Sequence, residues 1–172
     1  MIILQDKLEE KYQEDVWRLL YDADEEFIPP LSAREKTTQT NLGSGTGKKG
    51  GPKQYFEQMK TQAFVLYVRD EKVVGFLTYI PNHVIEVQDA RIICEYISTI
   101  VVAPDCRNKG ITGKMYQALM ENCTDKNIAT RTWSTNHAHI HLLEKLSFEQ
   151  VLCIKDDRGK GIDTVYYMKK WE

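Results

Sequence analysis

The sequence has no apolar stretch that approaches the roughly 20 residues needed to cross a bilayer, so we expect no membrane partner. A charged residue, Asp6, comes too early for the apolar region of a secretory signal peptide. The four cysteines are widely spaced and include no Cys-x-x-Cys pair, which disfavours a disulfide framework and a zinc site. We therefore expect a cytoplasmic protein with free thiols.

The chain also lacks an excess of charge of one sign. Its formal net charge is −2, from 23 basic and 25 acidic residues. A general nucleic-acid-binding protein needs a basic surface to engage phosphates, so we expect no nucleic-acid partner. With 172 residues, of which 42% are hydrophobic, the composition predicts one domain over residues 1–172 with its own core.

Acidic residues are concentrated in the first helical segment. They are Asp15, Asp22, Asp24, Glu25 and Glu26. An acidic rim of this kind would attract a cationic acceptor. The simpler interpretation, which we favour, is the solvated face of a helix.

Hydrophobic periodicity and turn residues predict an α/β (α+β) chain with a mixed sheet flanked by helices. The predicted helices cover residues 7–27, 53–61, 110–123 and 136–146. The predicted strands cover residues 63–70, 72–81, 91–102, 129–135, 148–155 and 163–171. Residues 32–52 are polar and rich in glycine, and they predict a flexible loop.

The segment over residues 96–114 carries the clearest chemical signal. An apolar strand passes through a turn that contains Gly110 into an amphipathic helix. The first backbone N–H groups of a helix lack intrahelical partners and attract anions. Gly110 and Gly113 allow close approach of the backbone, and Arg107, Lys109 and Lys114 add positive charge. The pattern fits a pyrophosphate, although an ordinary turn with exposed cations has the same composition.

Residues 100–113 resemble the acetyl-CoA pyrophosphate motif of the GNAT acetyltransferases. That motif reads Gln or Arg, two variable residues, Gly, one variable residue, then Gly or Ala. Arg107 and Gly110 match, whereas Thr112 takes the place of the second small residue and Gly113 follows it. Asn136 and the phrase at 144–148 resemble the second motif of the family. The resemblance covers about residues 91–171.

This resemblance implies a GNAT-type mixed, splayed central sheet and an N-acetyltransferase that uses acetyl-CoA as co-substrate. Acetyl transfer to a small-molecule primary amine by direct attack is then expected, with a protein or peptide amine as the alternative. A homodimer is compatible with the family. The residues implied to bind acetyl-CoA are Ile100, Val101, Val102, Arg107, Asn108, Lys109, Gly110, Ile111, Thr112, Gly113, Lys114 and Asn136. Among them, backbone N–H groups near Val101 and Val102 are implied to polarise the thioester carbonyl.

Two positions depart from the family pattern. Many members have a tyrosine acid where this chain has Leu143, so another group or water would protonate the leaving thiolate, or it would leave unaided. Ser147 stands where glycine usually ends the helix. A serine in a left-handed cap costs about 1 kcal/mol of stability.

The catalytic base is sought in the strand over residues 91–102. Glu95 is a carboxylate in an apolar run, and its residue type suits a base. Because adjacent strand residues face opposite sides, Glu95 and Tyr96 cannot both face one site unless a bulge intervenes. A structural ion pair of Glu95 with Arg91 or a helix cation is slightly favoured. Tyr96 and Ser98 on the other face are the alternative, as the holders of a water relay.

No metal site is expected. His137 and His141 share a helix face but His139 does not, and no glutamate completes a zinc-protease motif. Two further functions stay open. One is an acyl-CoA-binding module without catalysis, which the missing tyrosine and the uncertain base permit. The other is a phosphate- or nucleotide-binding protein with no preference for CoA.

Overall fold

Seven strands form one sheet in the order β1-β2-β3-β4-β5-β7-β6 in the computed structural model, which describes residues 1–171. The strands are β1 Ile2–Gln5, β2 Ala63–Arg69, β3 Lys72–Val87, β4 Ala90–Val102, β5 Ile128–Trp133, β6 Glu149–Ile154 and β7 Thr164–Lys169. The helices are α1 Glu10–Ala23, α2 Lys53–Met59, α3 Ile111–Asn122 and α4 His137–Lys145. Of the helices within residues 1–171, none has the length and apolar character to span a membrane.

The sheet divides at its centre, between β4 and β5. All other neighbouring strands pair in antiparallel fashion, whereas β4 and β5 are parallel. Their pairing covers only three residues of each strand, from Glu95 to Ile97 on β4 and from Ile128 to Thr130 on β5. Beyond Ile97 the two strands separate, so the β5-facing edge of β4 has no strand partner.

A β-bulge lies where the separation begins. Thr78 of β3 is opposite Thr99, but the next residue, Tyr79, is opposite Ile97, so Ser98 is an extra residue on β4. A bulge bends its strand and shifts the facing of the residues that follow. The bend therefore directs the end of β4 away from β5.

Helices cover both faces of the sheet. The core under α3 and α4 includes Ile97, Met115, Tyr116, Leu119, Ile128, Leu143 and Phe148. The core under α1 and α2 includes Val16, Leu20, Tyr55, Met59, Phe64, Phe76 and Val101. A third cluster near the far end of β3 and β4 includes Tyr96, Ala129, Tyr166 and Met168. Ile128 and Ala129 thus belong to opposite faces, as alternation along a strand requires.

The predicted fold class is confirmed, and most predicted elements differ from the observed ones by only a few residues at their ends. Three differences are larger. β1 was not predicted, because it is a short edge strand with an incomplete apolar pattern. β3 continues to Val87, six residues past the predicted end. The predicted first helix is divided into α1 and a 3₁₀ turn over Asp24–Glu26.

Residues 32–52, predicted as a flexible loop, contain no α-helix or β-strand, although a 3₁₀ turn over Leu31–Ala33 overlaps their start. Several hydrogen bonds attach the segment to the rest of the chain. Thr37 bonds through its N–H and its hydroxyl to Gln58 and Gln62, and Gly43 N donates to the carbonyl of Asp157 at 2.7 Å. The segment therefore packs against α2 and the β6–β7 turn.

Ser147 has the left-handed conformation expected from its place in the sequence, with φ of +68°. Its side chain is exposed, so replacement changes little besides the backbone preference. We predict that Ser147→Gly raises the free energy of unfolding by about 0.5 to 1 kcal/mol, because glycine adopts this φ without a Cβ clash. Urea unfolding measures the effect. Ser147→Ala is the control, since alanine keeps the Cβ; equal stability of the two variants would contradict the prediction.

Candidate active site

The separation of β4 and β5 opens a cleft of about 380 Å³ through the middle of the molecule. Its β4 wall is formed by Ser98, Thr99, Ile100, Val101 and Val102. Its β5 wall is formed by Thr130, Arg131, Thr132 and Trp133. Segments from elsewhere complete the lining with Ala23, Glu26, Phe27, Arg34, Arg107, Thr112, Asn136, Ala138, His139, Leu142 and Arg158. This volume lies in the range of small-ligand sites.

The N-terminus of α3 forms the predicted anion-binding turn at one side of the cleft. Gly110 is the N-cap with φ of +76°, and Asn108 has φ of +61°. A Cβ at Gly110 would meet no atom within 4 Å, so conformation and not space favours glycine here. Lys114 N donates to Gly110 O at 3.0 Å and begins the helical pattern. The N–H groups of residues 111–113 precede this bond and lack intrahelical partners.

Arg107 spans the mouth of the cleft. Its Nη1 and Nη2 bond to the two carboxylate oxygens of Glu26 at 2.7 and 3.0 Å, and its Nε donates to Val102 O at 3.1 Å. The Glu26 hydrogen bonds raise the pKa of Arg107. A phosphate that approaches Arg107 would compete with Glu26 for a bidentate guanidinium.

The other cations of the turn are less constrained. Lys109 and Lys114 are exposed. Lys109 Nζ lies 3.4 Å from the carbonyl oxygen of Asp105, and Lys114 Nζ lies 6.0 Å from the ring centre of Tyr67. Both side chains can therefore turn toward an anion at low cost. Gly113 has no positive φ, and a Cβ there would meet only Leu142 Cδ1 at 3.9 Å.

The open edge of β4 presents backbone groups to the cleft. Ala103 N donates to Val74 O, which makes Val102 and Gly75 a non-hydrogen-bonded antiparallel pair. The N–H and C=O of Val102 therefore point away from β3, toward the edge that β5 leaves unpaired. Alternation gives the same direction for Ile100, whereas the N–H of Val101 points to β3. Of the two N–H groups implied by the resemblance, only that of Val102 faces the cleft.

Asn136 lies opposite this edge, immediately before α4. Its Nδ2 donates to Thr132 Oγ1 at 3.1 Å, which fixes the amide against β5 while its residue lines the cleft. The N–H groups of α4 begin beside it. The structure thus brings Asn136 and the α3 turn, about 25 residues apart in the chain, to one cleft.

Glu95 lies away from the cleft. Its side chain is 3% exposed; Oε1 accepts a hydrogen bond from Asn82 N at 3.1 Å and lies 3.4 Å from Lys126 Nζ. It lines a separate surface pocket with Asn127 and Trp171. The bulge at Ser98 comes after Glu95 in the strand, so it does not change the side of the sheet on which the Glu95 side chain lies. Glu95 therefore forms a structural ion pair, but its partner is Lys126, in the turn between α3 and β5, and not Arg91 or a helix cation.

Ser98 lines the cleft and belongs to a hydroxyl network. Its Oγ accepts a hydrogen bond from Gln62 Nε2 at 2.8 Å and lies 3.1 Å from Thr99 Oγ1, which in turn lies 2.7 Å from Tyr55 Oη. Tyr96 is buried in the third cluster with Ala129 and Tyr166, and burial raises the pKa of its phenol. The structure brings Ser98 to the cleft, whereas Tyr96 is not in its lining.

Three arginines in the lining were missed by the sequence analysis. Arg34 and Arg158 are 5% and 2% exposed, and Arg131 follows the paired part of β5. The three positions share no sequence motif. Taken singly, an arginine at 34, 131 or 158 is predicted to be an exposed cation. The one available signal was Arg131, a charge inside a predicted strand.

His139, which the sequence analysis placed in no site, also lines the cleft. Its Nε2 lies 2.8 Å from the hydroxyl oxygen of the buried Tyr116. Burial lowers the pKa of His139 to about 4, so the ring is neutral at pH 7. Within residues 1–171, no three His, Cys, Asp or Glu side chains are grouped so that they could hold a metal ion.

The acidic residues of the first helical segment are mostly bound within the protein. Asp15 accepts a hydrogen bond from Val73 N and Asp24 accepts one from Ser32 N. Glu26 alone of the five lines the cleft, and it is paired with Arg107. They do not form an open acidic rim around the cleft.

Comparison with known proteins gives a family match and a shared fold. The sequence profile of the Acetyltransferase (GNAT) family matches residues 9–148. No curated protein matches the chain by sequence. An aminoglycoside 6'-N-acetyltransferase structure from Enterococcus faecium has a TM-score of 0.70 at 14% identity, covering 100% of this chain and 97% of that chain.

Two further solved structures have the same fold. A ribosomal-protein-alanine N-acetyltransferase from Brucella melitensis has a TM-score of 0.66 at 20% identity, with 99% of both chains covered. An N-acetyltransferase from Staphylococcus aureus Mu50 has a TM-score of 0.69 at 14% identity, covering 100% of this chain and 99% of that chain. At these identities the likeness extends to the fold alone.

The placement of Glu95 leads to a prediction about stability. Glu95→Gln keeps an oxygen for Asn82 N but loses the charge opposite Lys126, so we expect the free energy of unfolding to fall by about 1 kcal/mol. Any turnover with acetyl-CoA should be unchanged. Urea unfolding and a rate assay measure the two effects. The control is Glu57→Gln, which removes an exposed pair with Lys60 and should change stability by less than about 0.5 kcal/mol. A loss of turnover at unchanged stability would return Glu95 to the list of catalytic bases.

Proposed function

The chain belongs to the acetyltransferase (GNAT) family, and on this premise we propose that it transfers an acetyl group from acetyl-CoA to the primary amine of a small molecule by direct attack. The observation that carries the proposal is the cleft between β4 and β5, which has an unpaired strand edge on one wall and an anion-binding helix N-terminus beside it. A thioester on a long arm that ends in a pyrophosphate matches both features.

The pyrophosphate would bind at the N-terminus of α3. Free N–H groups at residues 111–113 supply donors, and Lys109 and Lys114 supply charge. Arg107 would exchange Glu26 for a phosphate oxygen. The pantetheine arm would follow the open edge of β4, where the N–H and C=O of Ile100 have no strand partner, and would pass Asn136 on the opposite side.

The chemistry requires the amine nitrogen to attack the thioester carbonyl carbon. The carbonyl oxygen gains negative charge as the C–N bond forms, and the N–H of Val102 can donate to it. One donor of this type lowers the barrier of acyl transfer by about 3 kcal/mol. The C–S bond then breaks and the amide is released.

The leaving sulfur has no tyrosine beside it. Leu143, at the position where many family members carry that acid, is fully buried in the core under α3 and α4. A thiol has a pKa near ~8.5, so the sulfur can leave as a thiolate and take its proton from water. His139 is neutral at pH 7 and holds Tyr116, and we assign it no proton transfer.

The attacking amine must lose a proton, and only about one alkylamine in a thousand is neutral at pH 7. Glu26 is the one carboxylate that lines the cleft within residues 1–171, and it is bound to Arg107 until a phosphate displaces it. Glu26 is therefore available as a base only when Arg107 holds a phosphate, and otherwise a water at Ser98 would carry the proton to solvent. The hydroxyl network of Ser98, Thr99 and Tyr55 can orient such a water.

A second candidate function is an acyl-CoA-binding module without catalysis. The buried Leu143 and the pairing of Glu26 with Arg107 favour it, because they leave the cleft without a tyrosine acid and without a free carboxylate base. A peptide amine is the alternative acceptor within the enzyme class, and one solved structure of the same fold is a ribosomal-protein-alanine N-acetyltransferase. The binding module and the enzyme would both bind CoA, but only the enzyme would turn over acetyl-CoA with an amine.

Calorimetric titration with acetyl-CoA tests the proposal first, with CoA and ATP as controls. We expect acetyl-CoA and CoA to bind with similar affinity and ATP to bind far more weakly. A thiol-release assay with amines then separates transfer from binding alone. Equal affinity for ATP and CoA would instead indicate a general nucleotide-binding protein, and no binding at all would remove the proposal.

Gly110 gives a sharp test of the pyrophosphate position. We predict that Gly110→Asp raises the Kd of acetyl-CoA at least about 10-fold, because a negative charge enters the anion turn. Gly110→Asn is the matched control, since asparagine has nearly the same shape and also tolerates a positive φ. Calorimetry measures both variants. Equal affinities of the Asp and Asn variants would place the pyrophosphate elsewhere.

A further inference from the structure

Arg34, Arg131 and Arg158 meet at the cleft from three separate parts of the chain. Arg34 follows the 3₁₀ turn over Leu31–Ala33, Arg131 lies on β5, and Arg158 lies in the turn between β6 and β7. Arg131 shares its strand face with Ala129, whose cluster lies on the other side of the sheet from α3. The group is therefore separated by the sheet from the anion turn that would hold the pyrophosphate.

Each guanidinium retains a donor without a protein partner. Arg34 uses Nε and Nη2 on the carbonyl of Pro29, and Arg158 uses Nε on Thr164 and Nη1 on the carbonyl of Ile28. Arg131 makes one long hydrogen bond, from Nη1 to Tyr166 Oη at 3.4 Å, and its buried Nη2 makes none. Across residues 1–171, Nη1 of Arg34 and Nη2 of Arg131 and Arg158 remain unused.

Among residues 1–171, the three charges have no carboxylate in direct contact, although Asp24 and Asp157 lie close enough to act on Arg34 and Arg158. None of the three arginines forms a salt bridge to a carboxylate within the described residues 1–171. Burial, followed by the repulsion of Arg34 and Arg131, lowers the pKa of Arg158 to about 9. Buried cations without partners are costly to a fold, and they are normally paired. An anion between them would supply the missing partner.

Aromatic rings hold two of the three guanidinium groups, those of Arg34 and Arg158, in place. The Arg158 guanidinium lies 5.8 Å from the ring centre of Trp133, and that of Arg34 lies 6.0 Å from the ring centre of Phe27. Phe27 and Trp133 contact each other edge to face, with ring centres 5.7 Å apart. Stacked and packed guanidinium groups lose little freedom on binding, so this is a preorganised anion site.

We propose that the acceptor is a small primary amine that carries a carboxylate, and that Arg131, with Arg34 and Arg158, binds this carboxylate. The inference rests on the proposed acetyl transfer and names its acceptor class. A carboxylate accepts the planar fork of an arginine in bidentate geometry. Polycationic acceptors such as polyamines and aminoglycosides are disfavoured by repulsion from the three arginines.

The same three arginines also help the attacking amine to lose its proton. Positive charges near an ammonium group favour its neutral form. With one carboxylate bound, the three arginines still leave an excess of positive charge near the amine. The acceptor would thus lose its proton to water more readily in the cleft than in solution.

Matched pairs of acceptors test the proposal. Thiol release from acetyl-CoA is measured with the common L-amino acids, β-alanine and γ-aminobutyrate, each beside its carboxamide, and with spermidine and an acidic N-terminal peptide. We expect at least one free acid to be acetylated with kcat/KM about 10- to 100-fold above its amide, the range for hydrogen bonds to a charged group. Spermidine should be inactive.

Variants test whether the arginines cause the preference for free acids over amides. Arg131→Gln should raise the KM for the acid about 10-fold or more, with little change in kcat/KM for the amide or in the Kd of acetyl-CoA. Arg131→Lys keeps the positive charge but loses the planar, bidentate guanidinium. We expect its KM for the acid to lie between those of the unmodified protein and Arg131→Gln. Arg18→Gln removes an exposed arginine on α1 and serves as the control. If Arg131→Gln does not fold, the KM of Arg131→Lys for the acid decides whether Arg131 binds the carboxylate.

The outcomes separate this inference from the function on which it rests. Failure to bind acetyl-CoA would remove both. Binding of acetyl-CoA, with amides, spermidine or the peptide acetylated as well as any free acid, would overturn the inference and leave the acetyltransferase in place. Binding of acetyl-CoA with no turnover on any amine would overturn it as well. An acid preference that survives in Arg131→Gln and Arg131→Lys would show that the carboxylate binds elsewhere.

Discussion

The short parallel pairing of β4 and β5 is the constraint on which the site depends. Three residues on each strand hold the two halves of the sheet together, and the bulge at Ser98 then turns β4 away. Longer pairing would fill the cleft with strand hydrogen bonds, and the backbone groups of Ile100 and the N–H of Val102 would no longer be free. The sheet is thus complete enough to carry a core on both faces and open enough to admit a ligand.

The cations around the cleft fall into two groups with different surroundings. Those near the N-terminus of α3 are exposed or bound to Glu26, so they can exchange partners with a phosphate in water. On the other face of the sheet, Arg34 and Arg158 are buried and stacked on Phe27 and Trp133, and Arg131 is half-buried beside them. None of these three forms a salt bridge within residues 1–171. An exposed cation is largely screened, whereas a buried one acts strongly on whatever enters beside it. The first arrangement suits a mobile, highly charged cofactor, and the second suits selection of a small acceptor.

Prediction from sequence succeeded where the signal was local. Most helices and strands were located within a few residues, because each carried its own periodicity and turn residues. The left-handed conformation at Ser147 followed from one position in one motif. β1 was missed because an edge strand of four residues has too few positions to show a pattern. The facing of Glu95 was left open, since it depends on where along β4 the bulge falls, and that is set by pairing with β3.

The sequence by itself determined the fold class and the anion-binding turn of α3, because the N–H groups and cations of that turn are contiguous in the chain. The tertiary structure alone decided which carboxylates and cations reach the cleft. It directed Glu95 to Lys126 and Glu26 to Arg107, and it brought together Arg34, Arg131 and Arg158. Those three arginines are separated by 97 and 27 residues. Their common environment exists only once the strands are paired and the segments beside them are packed.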